Sequence, residues 1–348
     1  MNTQGLLLID VDAAALNNAG KNTMSNFDNA VKTKSIFKNG NSYVYVSGQA
    51  WRNWWRNTLQ KNQNWELSPV TREDKIAFTD ANPVKYPDDD VFGYMRAATD
   101  IVKDDKGKEK KVNITVTRVS PLKNSVLVSV SSVRPVENWS SMARQEGDSV
   151  PYAKQEYSAV MKGMFSLDLD MVGTFSNYNK TGFKNLSDKL KEEALAVNGS
   201  EEIPDPFIEK QTLVRLPQAR RIQRATDTIK ALKNISGGAM QTNNMADVTP
   251  KFIILATTKT GNHPFSHVVK SEGDNDEKAV LNISGLKEVI EDYKHDFVGK
   301  IYIGKRSGFF DEDNQDLENL AKENDLVCYG PVNQIIDKYI EELKEQMV

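Results

Sequence analysis

The sequence predicts an α+β fold of ferredoxin-like or RRM-like order, βαββαβ, with its elements spread apart by large insertions. Two observations predict it. Runs of strand and helix periodicity follow one another in that order along the chain. The 348 residues are 39% apolar and 27% charged, enough for a buried core, and polar stretches stand between the periodic runs.

Residues 5–15, GLLLIDVDAAA, read as the first strand. Residues 16–46 are rich in Asn, Lys and Gly and are expected as a long loop, functional or mobile, carrying Lys32 and Lys34. Ser47 is a suitable N-cap for a helix over 47–59. Ala50, Trp51, Trp54, Trp55, Thr58 and Leu59 follow helical spacing and form one buried stripe, while Gln49, Arg52 and Arg56 share another face. Residues 60–111 contain TREDK, PDDD and KDDKGKEKK and are expected as an insertion standing off the core, with FGYMR (92–96) its ordered piece. VNITVTRVS and SVLVSVSSV read as a pair of strands joined by a turn at SPLKNS. The polar residues 134–156, with Trp139 and Met142, interrupt two β runs as a protruding hairpin does. Residues 173–214 are loop-like, with NGSEEIPDP as a linker. Pro217 opens a helix through Ile235, its apolar stripe Ile222, Ala225, Ile229 and Leu232 and its opposite face Arg220 and Arg224. Gly237 and Gly238 stop it. KFIILATT, a short strand near 300–303 and an amphipathic helix over 332–346 complete the chain.

The net charge of −3 hides an asymmetry. Residues 270–348 hold 10 basic and 19 acidic groups, −9, and the other 269 residues carry +6. Residues 210–234 hold seven basic groups against Asp227. A local positive potential attracts a polyanion whatever the total charge.

The usual catalytic signatures are missing. GKRSG (304–308) lacks phosphate-loop spacing, and there is no G-x-G-x-x-G or G-x-S-x-G. Pro264 separates His263 from His267, and Cys328 is the one cysteine, so neither a metal cluster nor a disulfide framework is expected. Asp10 with Asp12, and Asp168 with Asp170, read as strand-edge acids rather than cation ligands. No apolar run is long enough to span a membrane, and the N-terminus has no basic signal-peptide flank, so the chain reads as cytoplasmic, with no membrane partner. The positive features suit an anionic chain. Lys32 and Lys34, the helix start at Ser47, Gln49 and Arg52, and the glycine turn 236–241 are expected to converge on one face, with Arg96 adding a contact. Arg56 and Arg220 extend the basic surface.

At these residues the sequence resembles a known family. LNNAG (16–20), NAVKTK (29–34), YVSGQAWRNWWR (45–56), FGYMR (92–96), RVSP (118–121), FSLDL (165–169) and ISGGAMQ followed by PKFIILA are similar to the DevR-type backbone subunit of type I CRISPR surveillance complexes (Cascade), most like the I-B branch. The resemblance runs to residue 257 and implies a modified RRM palm with finger and thumb insertions. The palm would comprise 1–59, 112–135 and 157–348, the fingers 60–111 and the thumb 136–156. It implies a non-catalytic subunit without cofactor, several copies of which stack along one CRISPR RNA and present it to target DNA. Large, small, guide-end-capping and RNA-processing subunits would be its further partners. Lys32, Lys34, Ser47, Gln49 and Arg52 match the phosphate-contacting region, and Gly237, Gly238, Ala239, Met240 and Gln241 the RNA-facing loop. Trp139, Met142 and Arg144 would be thumb residues beside a kinked nucleotide. The alternatives are a metal-dependent target-RNA nuclease of type III kind, using Asp28 or the Asp10 and Asp12 pair, and a regulator acting alone.

Overall fold

The computed structural model describes the chain except residues 27, 75, 98, 104–108, 114, 143–145, 181–183, 273–277 and 348, and no side chain of 99–103, 109–113 or 142 is described. The fold is mixed α+β, dominated by one large mixed sheet. Its path runs Val327–Gly330, Phe297–Lys305, Phe252–Thr258, Asn2–Ala14, Val150–Asp168, Leu127–Ser129, Asn41–Val46 and Ser35–Lys38. The first strand, Asn2–Ala14, lies between Phe252–Thr258 and the long strand Val150–Asp168, antiparallel to both. Its apolar run is continuous because both faces are covered there. Leu7 and Ile9 enter one core, and Leu6 and Leu8 the other.

Three helices cover the first face. The tryptophan helix Gly48–Gln63 is capped by Ser47, whose hydroxyl accepts the Ala50 amide at 3.3 Å. Its stripe is buried as its spacing predicts. Trp51 stacks on Trp55 with centroids 5.4 Å apart, and Trp55 meets Phe165 edge-on at 5.1 Å. The arginine helix Gln218–Lys230 and the C-terminal helix Val332–Gln346 lie beside it. On the second face, Phe265, Val268 and the helices Ile283–Asp292 and Asn314–Glu323 cover the half of the sheet nearer the C-terminus.

The structure departs from the sequence expectations at several places. Val116–Arg118 pairs with Tyr94–Arg96, not with Leu127–Ser129, because Leu122–Asn124 pairs separately with the long strand. Ile114 lies outside the described residues. Residues 16–46 include a hairpin, Ser35–Lys38 with Asn41–Val46. Residues 173–214 form a three-stranded sheet, Thr174–Ser176, Thr212–Arg215 and Glu201–Pro204, with a helix Asp188–Leu195, so NGSEEIPDP is partly strand rather than linker. PDDD is not a solvated charge run. Asp88, Asp89 and Asp90 are each about 1% exposed or less, in the short helix Pro87–Phe92. Arg224 is likewise not on a solvated face, because it pairs with Asp90 at 2.6 Å in the interior. Trp65, just past the tryptophan helix, belongs to the main core. The interruption over 134–156 is indeed a hairpin, with Val136–Met142 antiparallel to the long strand from Val136↔Glu156 to Met142↔Val150.

The loop leading into Thr212–Arg215 is held by one carboxylate. Burial alone would raise the Asp205 carboxyl, but hydrogen bonds from Lys180, Tyr178 and the Phe207 amide more than reverse this and hold it at about 2. A depressed carboxyl stabilises the fold fully above its unfolded value, near 4, and loses that contribution as pH falls through about 2. Between pH 4 and pH 2 the thermal midpoint is therefore expected to fall more steeply in the wild type than in Asp205→Asn, followed by scanning calorimetry. Parallel slopes would remove Asp205 from the acid response.

Candidate nucleic-acid interface

At one end of the sheet the chain makes a series of turns that bring distant segments together. After the first strand, Leu16 accepts the Ala239 amide at 3.1 Å, tying the post-strand loop to the glycine turn. Asn17 follows as a bridge. Its amide group donates to the Lys34 and Tyr45 carbonyls, and its side-chain oxygen accepts the Lys34 amide at 3.1 Å. Tyr45 leads directly to Ser47 and the tryptophan helix. Lys154, at the base of the protruding hairpin, donates to Asn244 at 3.1 Å and pairs with Glu156 at 2.7 Å. Ala30–Val31 pairs in parallel with Ala153 and Lys154, and Thr33 donates to Gln155. Lys32, Lys34, Ser47 and the glycine turn therefore belong to one contiguous region. Lys32 is exposed there, and Lys34 is half-buried.

The glycines have steric reasons. A Cβ on Gly237 would sit 2.1 Å from Cγ of Trp54, and Gly238 has φ of +110°. Met240 also has positive φ, and the Gln241 side chain donates to the Gly237 carbonyl, closing the turn. Between this turn and the tryptophan helix lies a cleft of about 640 Å³ that Asn53, Asn57 and Lys61 line with polar groups.

Gln49, Arg52 and Arg56 face a second cleft, of about 850 Å³, on the side of the short helix Pro87–Phe92. Arg52 donates to the Leu122 and Phe92 carbonyls, to Asn124 and to Ser120, all within 2.6–2.9 Å. Burial, and then the neighbouring Arg56, lower its guanidinium to about 10. Arg56 pairs with Asp88 at 2.5 Å. These two arginines brace the insertion against the helix. Arg96 donates to the Asp80 carbonyl and lies over Phe78 within the insertion. Arg220 is exposed at the start of the arginine helix, a helix length of about 20 Å from the glycine turn at its other end. Arg52, Arg56 and Arg96 are thus engaged by carbonyls and side chains of the insertion and its neighbours, and Arg220 is exposed at the start of its helix. Trp139 is 62% exposed on the hairpin. Met142 is placed in its strand without a described side chain, and Arg144 lies outside the described residues.

Lys154 and Asn17 were not singled out from the sequence. The hairpin over 35–46 had a readable signal. Asn39–Gly40, with φ of 50° and 79°, is the residue pair that a two-residue hairpin turn favours.

The remaining polar candidates have local partners. Asp168 accepts the Asp170 and Met171 amides, and Asp170 pairs with the N-terminal ammonium. Asp12 accepts from Ser158, and burial raises the Asp10 carboxyl against the pull of Lys251. Asp28 is exposed, 3.5 Å from Lys21. His263 lies 2.9 Å from the Gly5 carbonyl. Among the described residues no group of three His, Cys, Asp or Glu is arranged to hold a metal, and no helix is long and apolar enough to cross a membrane.

Comparison with known proteins gives a consistent result. Two solved structures are similar over nearly the full length. One, titled "CRISPR RNA-guided surveillance complex", is 9% identical with a TM-score of 0.50, covering 98% of this chain and 99% of that one. The other, "CRISPR RNA-guided surveillance complex, pre-nicking", is 9% identical with a TM-score of 0.54, covering 99% and 100%. At that identity they show the fold alone. No curated protein matches the sequence. Residues 8–277 match the family described as "CRISPR-associated negative auto-regulator DevR/Csa2". Because that match spans most of its length, the chain belongs to the DevR/Csa2 family of CRISPR-associated proteins.

Proposed function

We propose that this chain is a non-catalytic backbone subunit of a type I surveillance complex, I-B-like, several copies of which bind along one CRISPR RNA and present it to target DNA. Family membership and the fold shared with surveillance-complex chains support the setting. The observation that carries the RNA-binding part is the meeting of Lys32 and Lys34, the Ser47 helix start and the Gly237–Gln241 turn through Asn17, Leu16 and Tyr45. Lysine ammonium groups and glycine-turn amides together suit a ribose–phosphate backbone without reading its sequence. The palm reading rests on strand order. Phe252–Thr258, Asn2–Ala14, Val150–Asp168 and Leu127–Ser129 are neighbours in that sequence, each antiparallel to the next, which is the order a βαββαβ palm requires. In this reading 60–111 are the fingers, and 136–156 the thumb, with Trp139 at its surface. The other subunits of such a complex are the partners.

Arg52 is a poor probe of RNA contact, since its four hydrogen bonds brace the fold. Lys32→Ala with Lys34→Ala is the cleaner test. In anisotropy titrations of a guide RNA, the log–log salt slope is expected to fall by about 1.4, about 0.7 for each lost phosphate contact, equally for any sequence. Unchanged affinity at low salt would remove these lysines from the interface.

A further inference from the structure

The protruding hairpin is fastened at its root on both faces. Strand alternation puts Glu137 and Gln155, which stand opposite each other, on one face. Lys154, Glu156 and Asn138 share the other, with Asn138 opposite Lys154. The first face holds the lysine loop. Glu137 accepts the Asn22 side-chain amide and the Ser25 hydroxyl, each at 2.7 Å. Gln155 accepts the Thr33 backbone amide at 3.0 Å and its hydroxyl at 3.2 Å. The second face meets the segment after the glycine turn, where Lys154 donates to Asn244 at 3.1 Å.

A lysine at the root of such a hairpin would ordinarily be read as a phosphate ligand. The surroundings of Lys154 speak against it. The residue is 8% exposed, and its ammonium is paired with Glu156 at 2.7 Å. Burial alone would raise the Glu156 carboxyl, but hydrogen bonds from Lys154 and Asn138 more than reverse this, so the pair is held charged. A phosphate at Lys154 would have to displace Glu156. The glycine turn, by contrast, needs anchors. None of residues 236–245 is fully buried, and Gly238, Met240 and Met245 have positive φ. Core packing therefore does not fix this segment. Hydrogen bonds do, and Lys154 supplies one from the hairpin.

We infer that Lys154 is a positioning residue for the guide-RNA trough: it fixes the glycine turn against the root of the hairpin and touches no phosphate itself. The inference rests on the RNA-binding reading of that trough. The hairpin root acts as a wedge. One face sets the lysine loop through Glu137 and Gln155, and the other sets the glycine turn through Lys154 and Asn244. The guide then meets lysine ammonium groups and turn amides already in place, and little of its binding energy goes into ordering the turn.

The test uses the full-length protein and a fluorescein-labelled guide RNA. Lys154→Met keeps the apolar stem but leaves Glu156 without its cation. Asn244→Ala spares that ion pair and is the milder variant. Each is expected to weaken guide binding at least about fivefold, and the double variant no more than the stronger single one, because both break the same link. The log–log salt slope is expected to stay within about 0.3 of wild type, since the amides of the turn are neutral. In the RNA-free protein, hydrogen exchange at the amides of 238–245 is expected to speed up in both variants, while the tryptophan helix stays protected. A slope lower by about 0.7 in Lys154→Met would make Lys154 a phosphate contact and overturn the inference. Losses that multiply in the double variant, or unchanged exchange over 238–245, would overturn it equally. So would unchanged affinity in both variants while Lys32→Ala with Lys34→Ala still weakens binding. If neither these variants nor the lysine pair weakens binding, yet exchange over 238–245 rises, it is the trough reading that fails, and the link between hairpin and turn stands.

Discussion

Asp90→Asn is expected to lower the stability of the protein by about 3–5 kcal/mol, the cost of breaking a buried ion pair from one side. The Asp90 side chain is fully buried and serves two guanidiniums and a backbone amide. Arg118 donates to one carboxylate oxygen, Arg224 to the other at 2.6 Å, and the Gly173 amide at 2.9 Å. Asparagine preserves the volume but removes the charge, and two buried cations lose their counter-ion. The four parts joined here are the short helix Pro87–Phe92, the strand Val116–Arg118, the turn at Gly173 and the arginine helix. The loss is thus expected to loosen the insertion from the sheet. A cost of this size is a large share of the 5–15 kcal/mol typical of a folded domain and is expected to lower the thermal midpoint by about 10 °C. Asp88→Asn is the control, because its partner Arg56 is 25% exposed and water takes up part of the lost interaction. An unfolding free energy of Asp90→Asn within about 1 kcal/mol of wild type would show that the network does not hold the insertion. Arg224→Met in a double-mutant cycle then measures how much of the cost belongs to that one pair.

This network also marks what the sequence could and could not reveal. The tryptophan stripe was legible because one helix repeats its own spacing, and Trp51, Trp54, Trp55, Thr58 and Leu59 are all buried. PDDD was misread because composition argues for solvent unless partners are known, and these lie 28 and 134 residues away at Arg118 and Arg224. No local pattern announces such a pair. The same limit hides the partners of Arg52. Helical spacing placed Gln49, Arg52 and Arg56 on one face, but whether that face meets a phosphate or the Phe92 and Leu122 carbonyls depends on what the insertion does. The lysine loop, the helix start and the glycine turn are expected from the sequence to converge, but the residues that fasten them, Leu16 to Ala239 and Asn17 to Lys34, carry no signal of it, since Asn17 is one asparagine among many. Charge asymmetry points to a sign of partner and not to its place on the fold.

Gly237→Ala is expected to be the most damaging single-methyl change near the trough. A Cβ there would stand 2.1 Å from Cγ and 2.3 Å from Cδ1 of Trp54, a ring that is 8% exposed and fixed in the main core. Neither side yields cheaply. The ring is packed, and the turn is closed by the Gln241 bond to the Gly237 carbonyl and by the Ala239 amide on Leu16. Overpacking of this kind costs about 1–3 kcal/mol. The turn moves away from the tryptophan helix and from Leu16, which accepts the Ala239 amide, so guide-RNA affinity is expected to fall at least about 10-fold in the same titrations. A partner substitution separates geometry from general damage. Trp54→Leu removes the ring atoms that the methyl meets, at a cost of its own for the cavity. If the clash is the cause, Gly237→Ala adds little further destabilisation in the Trp54→Leu background, and a cycle shows a favourable coupling of about 1–2 kcal/mol with partial recovery of RNA binding. Strict additivity of the two changes would mean that the methyl is tolerated beside Trp54, and that this tight approach does not set the position of the glycine turn.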